Sequence, residues 1–239
     1  MKRESEAALQ TSLRDLAERY SLPEGAARRL AALLAALASD PRAPTAIRDP
    51  RRVLEDHLAD SLVALEMAEV RGARTIADLG SGAGLPGIAL AIALPRAQVC
   101  LVESNRAKTE FLHQTVEACG LDNTHVITAR VEDWPDGLGR FELVTARALA
   151  PLPVVVEYAA PLLCTGGALL AWRGRRDPGE EGAAQRAASL VGLEPGAPRR
   201  VEPYAGARQR HLQLFVKTDP TPDRFPRRPG MARKRPLGN

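Results

Sequence analysis

Aromatic side chains are scarce, only 4% of the 239 residues, so any sizeable core must be built from Ala, Leu and Val. Cysteine is nearly absent. Cys100, Cys119 and Cys164 are odd in number, widely spaced and without a Cys-x-x-Cys pair. That excludes a disulfide framework or a cysteine zinc site and fits a reducing cytoplasm. His57, His113, His125 and His211 have no metal-ligand spacing, so no metal is expected. Long apolar runs are missing too. The longest, Ile88 to Leu94, stops at Pro95, far short of the roughly 20 residues that span a bilayer. The opening MKRESEAALQ has no apolar stretch of the kind a secretory signal carries. These absences point to a cytoplasmic chain without a membrane anchor.

What is present is a basic α/β pattern. The apolar fraction is 45% and the net charge +4. Six cations, Arg224, Arg227, Arg228, Arg233, Lys234 and Arg235, fall in one stretch without an acid. Such a run is either a solubilising tail or a contact for RNA phosphates, whose counterions it would release.

Leu9, Leu13, Leu16 and Tyr20 recur at helical spacing. Ser21-Leu22-Pro23-Glu24 reads as a capping box opening a second helix with Leu30, Leu33, Leu34 and Leu37 on its apolar face. A third helix is expected from about Val53 to Val70. From Thr75 short apolar strands alternate with helices. Strands are expected at 75–79, 98–102, 124–129, 141–146, 168–173, 199–203 and 211–217, with Gly166-Gly167 as a turn before the fifth. Helices are expected at 86–94, 105–119, 152–163 and 180–191. Alternation of this kind makes a parallel sheet covered on both faces. The expected division is a helical N-terminal cap over 1–72, an α/β domain over 73–218 and a basic tail over 219–239. The tail has too little to bury to form part of the core.

The segment Asp78 to Gly87, DLGSGAGLPG, follows a strand and opens a helix. Gly80, Gly82 and Gly84 let the backbone approach a ligand beyond the carboxyl end of the sheet. Two cofactors compete. Gly82-x-Gly84-x-x-Gly87 matches a dinucleotide fingerprint, and Glu103 ends the second strand, where a carboxylate can hold ribose hydroxyls. Three details favour S-adenosylmethionine. Asp78 would attract a cationic amino-acid moiety and repel a pyrophosphate. Pro86 removes an amide that a pyrophosphate would want. Gly80 directly follows the strand, as in the methyltransferase G-x-G-x-G form.

DLGSGAGLPGIALAIALP, LVESNRAKTEFL, VTARALAPLP and FPRRPGMARKRPLG, in that order, closely resemble the RsmG family, also called glucose-inhibited division protein B. The resemblance runs from about Thr45 onward. It implies a Rossmann-like, seven-stranded class I methyltransferase sheet with a helical N-terminal extension. It also implies transfer of a methyl group from S-adenosylmethionine to N7 of a guanine in 16S ribosomal RNA. Gly80, Ser81, Gly82 and Leu85 resemble the family's methionine-side contact, Glu103 its ribose carboxylate, and Val131-Glu132 the segment flanking the adenine. Arg147 matches an arginine at the cofactor and target base, so it is the expected catalytic residue. His57 and Asp60, in HLADSL, and Arg210, with Arg227 and Arg228 of the tail, are the expected substrate-binding residues. The chain departs from the family at Ala43-Pro44-Thr45, where Asn-Leu-Thr is usual, and at Arg173-Gly174, where Lys-Gly is frequent.

The chemistry agrees. Guanine N7 has a free lone pair and no proton to lose, so alignment and exclusion of water suffice. No Asn/Asp-Pro-Pro-Tyr/Phe motif follows the fourth strand, which holds Ala146-Arg147-Ala148-Leu149 instead. No cysteine pair is placed to attack a pyrimidine, and Cys164 reads as a core residue within a helix. Arg147 has a plainer reading as a surface ion pair, and His57 and Asp60 as structural or capping groups. The other functional readings are methylation of another RNA or of a protein, a nicotinamide-dependent oxidoreductase, and a non-catalytic RNA-binding module. The expected partner is 16S ribosomal RNA or the small ribosomal subunit particle, bound by a monomer.

Overall fold

The computed structural model describes residues 2–238. Two helices, α1 (Lys2–Arg19) and α2 (Ala26–Ser39), precede the sheet. Leu30, Leu33 and Leu37 on α2 are fully buried, each such leucine contributing about 1.5–3 kcal/mol. The capping box at Ser21 does not form. Ser21 takes a left-handed φ of 52° and ends α1 instead. Its amide bonds the Glu18 carbonyl and the Leu22 amide bonds that of Ala17, the paired bonds of a Schellman ending. The second helix starts later, behind Gly25.

The expected helix over 53–70 is also broken up. Residues Val53–Ala59 form a π-helical segment, Asp60–Leu62 a short α turn and Val63–Glu66 a 3-10 turn. Met67 is then extended before a last turn at Ala68–Gly72. Residues 58 to 65 are all buried, so this segment packs on every side rather than along one stripe. Arg71 takes up the freed Leu65 carbonyl (2.6 Å) and reaches the Tyr20 carbonyl (3.2 Å).

The strands are β1 (Thr75–Leu79), β2 (Gln98–Glu103), β3 (Thr124–Thr128), β4 (Phe141–Arg147), β5 (Leu163–Arg173), β6 (Leu193–Pro195), β7 (Arg199–Arg200) and β8 (His211–Lys217). Their order is β3-β2-β1-β4-β5-β8-β6, with the two-residue β7 also on β8. The first five are parallel, and β8 runs antiparallel to β5. The strand expected at 199–203 shrinks to β7, off the main path, and the edge place beside β8 belongs to β6. Gly166-Gly167 is not a turn before β5 but part of it, beside a register shift in its pairing with β4. Added bulk at Gly167 would meet the Phe141 carbonyl at 2.8 Å. Cys164 therefore lies in a strand, half-buried, and not in a helix core.

Side-chain alternation builds the two layers. Ile76, Leu143, Leu170 and Trp172 join the core beneath α1, α2, the 53–65 segment and the helix Gly87–Ala93. Ala77, Leu79, Val144, Ala146 and Ala171 join the core beneath the helices Leu152–Ala159 and Pro178–Val191. Asp78 and Thr145 pair across β1 and β4, and Arg147 and Trp172 across β4 and β5, all on the first of these faces.

The basic tail is a folded strap, contrary to expectation. Phe225 and Ala232 are buried in the second core, and the Arg227 guanidinium pairs with Glu157 (Nε–Oε1 2.6 Å), itself only 2% exposed. Its few buried groups suffice because they sit at well-packed, charge-paired positions. Among the described residues, no helix is long and apolar enough to cross a membrane.

Candidate active site

The carboxyl edge of the sheet carries two cavities, at the switch point where the order turns from β1 to β4. Beyond β1 the loop crosses the end of β2, with the Gly80 and Ser81 amides both on the Val102 carbonyl (2.8 and 3.2 Å). Gly80 has φ +63°, and a Cβ there would stand 2.4 Å from the Leu149 side chain. Only glycine fits both constraints. Glu103, at the end of β2, accepts from the Gly82 amide (3.2 Å) and from the Asn105 amide (2.8 Å). Asn105 in turn caps the helix Arg106–Ala118.

The first cavity, about 450 Å³, includes Gly80, Glu103, Val131, Glu132 and Leu149 in its wall, a size ordinary for ligand sites. Val131 and Glu132 reach it from a 3-10 turn after β3. The second, about 320 Å³, is lined by Asp60, Arg147, Trp172, Arg173, Arg210 and His211, among others. Ala148 belongs to both walls and holds a left-handed φ of 55°, a strained conformation for a residue with a Cβ.

The second cavity is a charge network. Arg147 donates to Asp60 Oδ2 at 3.1 Å, and the Trp172 indole donates to the Asp60 carbonyl at 2.7 Å. The Nε of Arg210 lies 3.2 Å from Asp60 Oδ1, without the alignment of a hydrogen bond. Burial pushes the Asp60 carboxyl up from its usual range, against the pull of the two arginines. Tyr204 donates to Asp56 at 2.5 Å. Burial works upward on Asp56, but Tyr204 and Arg52 prevail and hold it below the ordinary carboxylate range.

His57 stands behind this network, outside either wall. Its ring contacts the Thr45 hydroxyl (Nε2, 2.8 Å) and the Asp56 carbonyl (Nδ1, 3.1 Å). Burial, reinforced by the Arg147 charge, pushes it down to about 4, so it is neutral near pH 7. A neutral ring with the proton on Nδ1 satisfies both contacts. Thr45, in the segment where the family pattern is broken, thus holds His57.

Three expected cofactor residues lie beneath the loop and not on a cavity wall. Asp78 is 1% exposed. It accepts from the Thr145 hydroxyl (2.8 Å) and the Gly87 amide (3.2 Å), and burial raises it to about 6. Ser81 donates to the Asp78 carbonyl (2.8 Å), and Leu85 is buried in the core. Gly82 is tied to Glu103 but is not itself in the wall. Arg227 is committed to Glu157. Arg228 is exposed on the strap, where its carbonyl accepts from the Met231 amide (3.0 Å). Arg147 lines the second cavity and not the first. Sequence reasoning missed Trp172, Tyr158 and Arg233. The pairing of Trp172 with Arg147 across β4 and β5 needed the register, and Arg233 needed the path of the strap.

The first cavity suits S-adenosylmethionine and not a dinucleotide. Asp78 already occupies the Gly87 amide at the start of the helix Gly87–Ala93. That is where a pyrophosphate would have to bind, and the carboxylate would repel it. The wall offers Glu103 and Glu132, acids suited to hydroxyl and amino donors, beside the cations Lys108, Arg130 and Arg233, and a side-chain-free approach at Gly80.

The strand order, the glycine loop after β1 and the acid closing β2 define a class I methyltransferase with a Rossmann-like sheet. Two solved structures share the fold. *Aeropyrum pernix* fibrillarin with bound S-adenosyl-L-methionine has a TM-score of 0.51 at 19% identity, over 66% of this chain and 73% of that one. The ribosomal protein L11 methylase of *Lactobacillus delbrueckii* has a TM-score of 0.51 at 17% identity, over 67% and 77%. The family model described as rRNA small subunit methyltransferase G matches residues 27–211. The ribosomal RNA small subunit methyltransferase G of *Chloroflexus aggregans* is 43% identical over 196 residues, 81% of this chain and 82% of that protein. That of *Rubrobacter xylanophilus* is 39% identical, over 80% and 75%. The chain belongs to the rRNA small subunit methyltransferase G family.

Proposed function

We propose that the protein methylates N7 of a guanine in 16S ribosomal RNA, acting as a cytoplasmic monomer on the RNA or on a small-subunit particle. The observation that carries this reading is the junction at Ala148 of a cavity walled by the glycine turn, Glu103 and Glu132 with one walled by Arg147, Arg173 and Arg210. Bound S-adenosylmethionine supplies an electrophilic methyl group on a cationic sulfur. Glu103 receives the ribose hydroxyls, and Val131 with Glu132 flanks the adenine. The backbone at Gly80 and the loop anchored by Asp78, Ser81, Gly82 and Leu85 hold the methionine side.

Arg147 is the catalytic residue, donating to the guanine O6 and so presenting N7 toward the first cavity. Asp60 and the neutral His57 position Arg147 and take no proton, because N7 has none to give. Trp172 closes the cavity floor and excludes water. Arg210, with Arg173, meets the phosphates around the target base, and Arg228 extends that contact along the strap. The test is to incubate the protein with labelled S-adenosylmethionine and small-subunit particles, then map the modified nucleotide. Label at one guanine N7 is expected; label on another RNA, on protein, or on an exocyclic amine refutes the assignment.

A further inference from the structure

We propose that Arg233 is a cofactor-binding residue, carried by the C-terminal strap to the adenine end of the first cavity. This inference rests on the reading of that cavity as the S-adenosylmethionine site. Arg233 is exposed along the strap, yet it contributes to the cavity wall together with Tyr158, Glu132 and Leu149. Two hydrogen bonds fix it there. Its Nη2 donates to the Leu149 carbonyl at 2.9 Å. The Gly230 amide, three residues earlier, donates to Glu132 Oε1 at 2.9 Å. Tyr158 lines the same wall, its hydroxyl pushed up chiefly by burial. Strap, post-β3 turn and the helix after β4 therefore meet at one wall. Leu149 links that wall to the loop, since its side chain fills the space a Cβ on Gly80 would need.

The chemistry of the place calls for a donor. Adenine presents ring nitrogens that accept hydrogen bonds, whereas Glu132 and the Leu149 carbonyl only accept. A guanidinium has five N–H groups in one plane and also stacks on a ring face. One of its arms is spent on Leu149, which aims the plane and leaves the others for the base. Lys108 and Arg130 line the same cavity from the segments after β2 and β3. Arg233 comes from the other direction, through the strap, which is held by Arg227 on buried Glu157.

The test uses the full chain with two adenosine ligands, S-adenosylhomocysteine and 5′-methylthioadenosine, titrated by calorimetry beside thermal melts. Arg233→Ala should weaken both ligands by a similar factor, about tenfold, the loss of one charge-assisted hydrogen bond. Lys234→Ala removes the same charge one residue away and should leave both affinities unchanged. If Arg233→Ala melts early, Arg233→Lys keeps the charge and the stem but cannot serve Leu149 and a base together, and it should show the same loss. Unchanged affinity in the folded Arg233 variants, or an equal loss in Lys234→Ala, overturns the proposal. If the unaltered protein binds neither ligand, it is the reading of the cavity that fails instead.

Discussion

The two cavities share Ala148 and little else. The first sets Glu103, bound by two amides, and Glu132, bound by a third, beside a glycine turn and the cations Lys108, Arg130 and Arg233. The second is made by arginines leaning on acids, with Arg147 and Arg210 converging on Asp60. Fixed carboxylates with cations beside them suit a ligand that carries both hydroxyls and ring acceptors. A wall of guanidinium groups suits base carbonyls and phosphates. The two spaces adjoin but differ in what is fixed: acids held by backbone amides in the first, an acid held by arginines in the second.

Removing Arg147 should break the comparison most severely. Arg147→Ala is expected to lower single-turnover methylation by about 10²-fold or more, the scale of losing one aligned donor, with cofactor affinity nearly unchanged. The substitution also strands a buried acid, and breaking such a pair costs about 3–5 kcal/mol. The double variant with Asp60→Asn should recover stability but not rate. If cofactor affinity falls in step with turnover, the two cavities are one site and the contrast fails. Glu103→Ala probes the other side. Calorimetry should show about 1.5–3 kcal/mol less cofactor binding, roughly ten- to 150-fold, and filter binding should show RNA affinity unchanged. A loss of RNA binding alone would reverse the roles.

Smaller effects sharpen the picture. Arg173→Ala and Arg210→Ala should each flatten the slope of log RNA affinity against log salt by about 0.7–0.9, while Glu103→Ala leaves it intact. Superimposable salt plots would mean that these arginines touch no phosphate. The smallest effect is on the acid stability of His57. Held at about 4 in the fold against an ordinary 6.5, it binds fewer protons than in the unfolded chain between those values. Stability is therefore lost as pH falls through that window. Asp78, raised to about 6, works in the opposite sense, since its protonated form is favoured in the fold as pH drops. Urea midpoints followed from about pH 7 to 4 should fall less steeply for His57→Asn than for the parent. An identical slope would show that the ring is not held neutral.

What the sequence disclosed follows from how local each signal is. The glycine loop, Glu103 and the Val131-Glu132 turn are short segments, each tied to a strand end, and they meet in one cavity. The alternating strands were legible because each is an apolar run between turns. The capping box failed because Ser21 serves the end of α1 rather than the start of α2, a choice the two neighbouring helices make together. The break at Met67 depends on Arg71 reaching back to carbonyls of two other segments. Asp78 was read as a ligand contact from its position before the glycines, but strand alternation turns it onto Thr145 and Gly87. The second cavity draws on residues 60, 147, 172 and 210, which only strand register and the docking of the π-helical segment bring together.

The strap has a consequence for proteolysis. Between Arg224 and Arg235 it is rich in tryptic sites, yet Phe225 and Ala232 are buried and Arg227 is locked to Glu157. A protease needs the backbone extended and free, so cleavage there requires the strap to lift first. When opening and closing are fast relative to cleavage, the rate of nicking reports how often the strap is open. A ligand that binds only the closed cavity lowers that population by the factor 1 + [L]/Kd. Limited trypsin digestion thus becomes a reading of cavity occupancy, with the most basic part of the chain as its reporter.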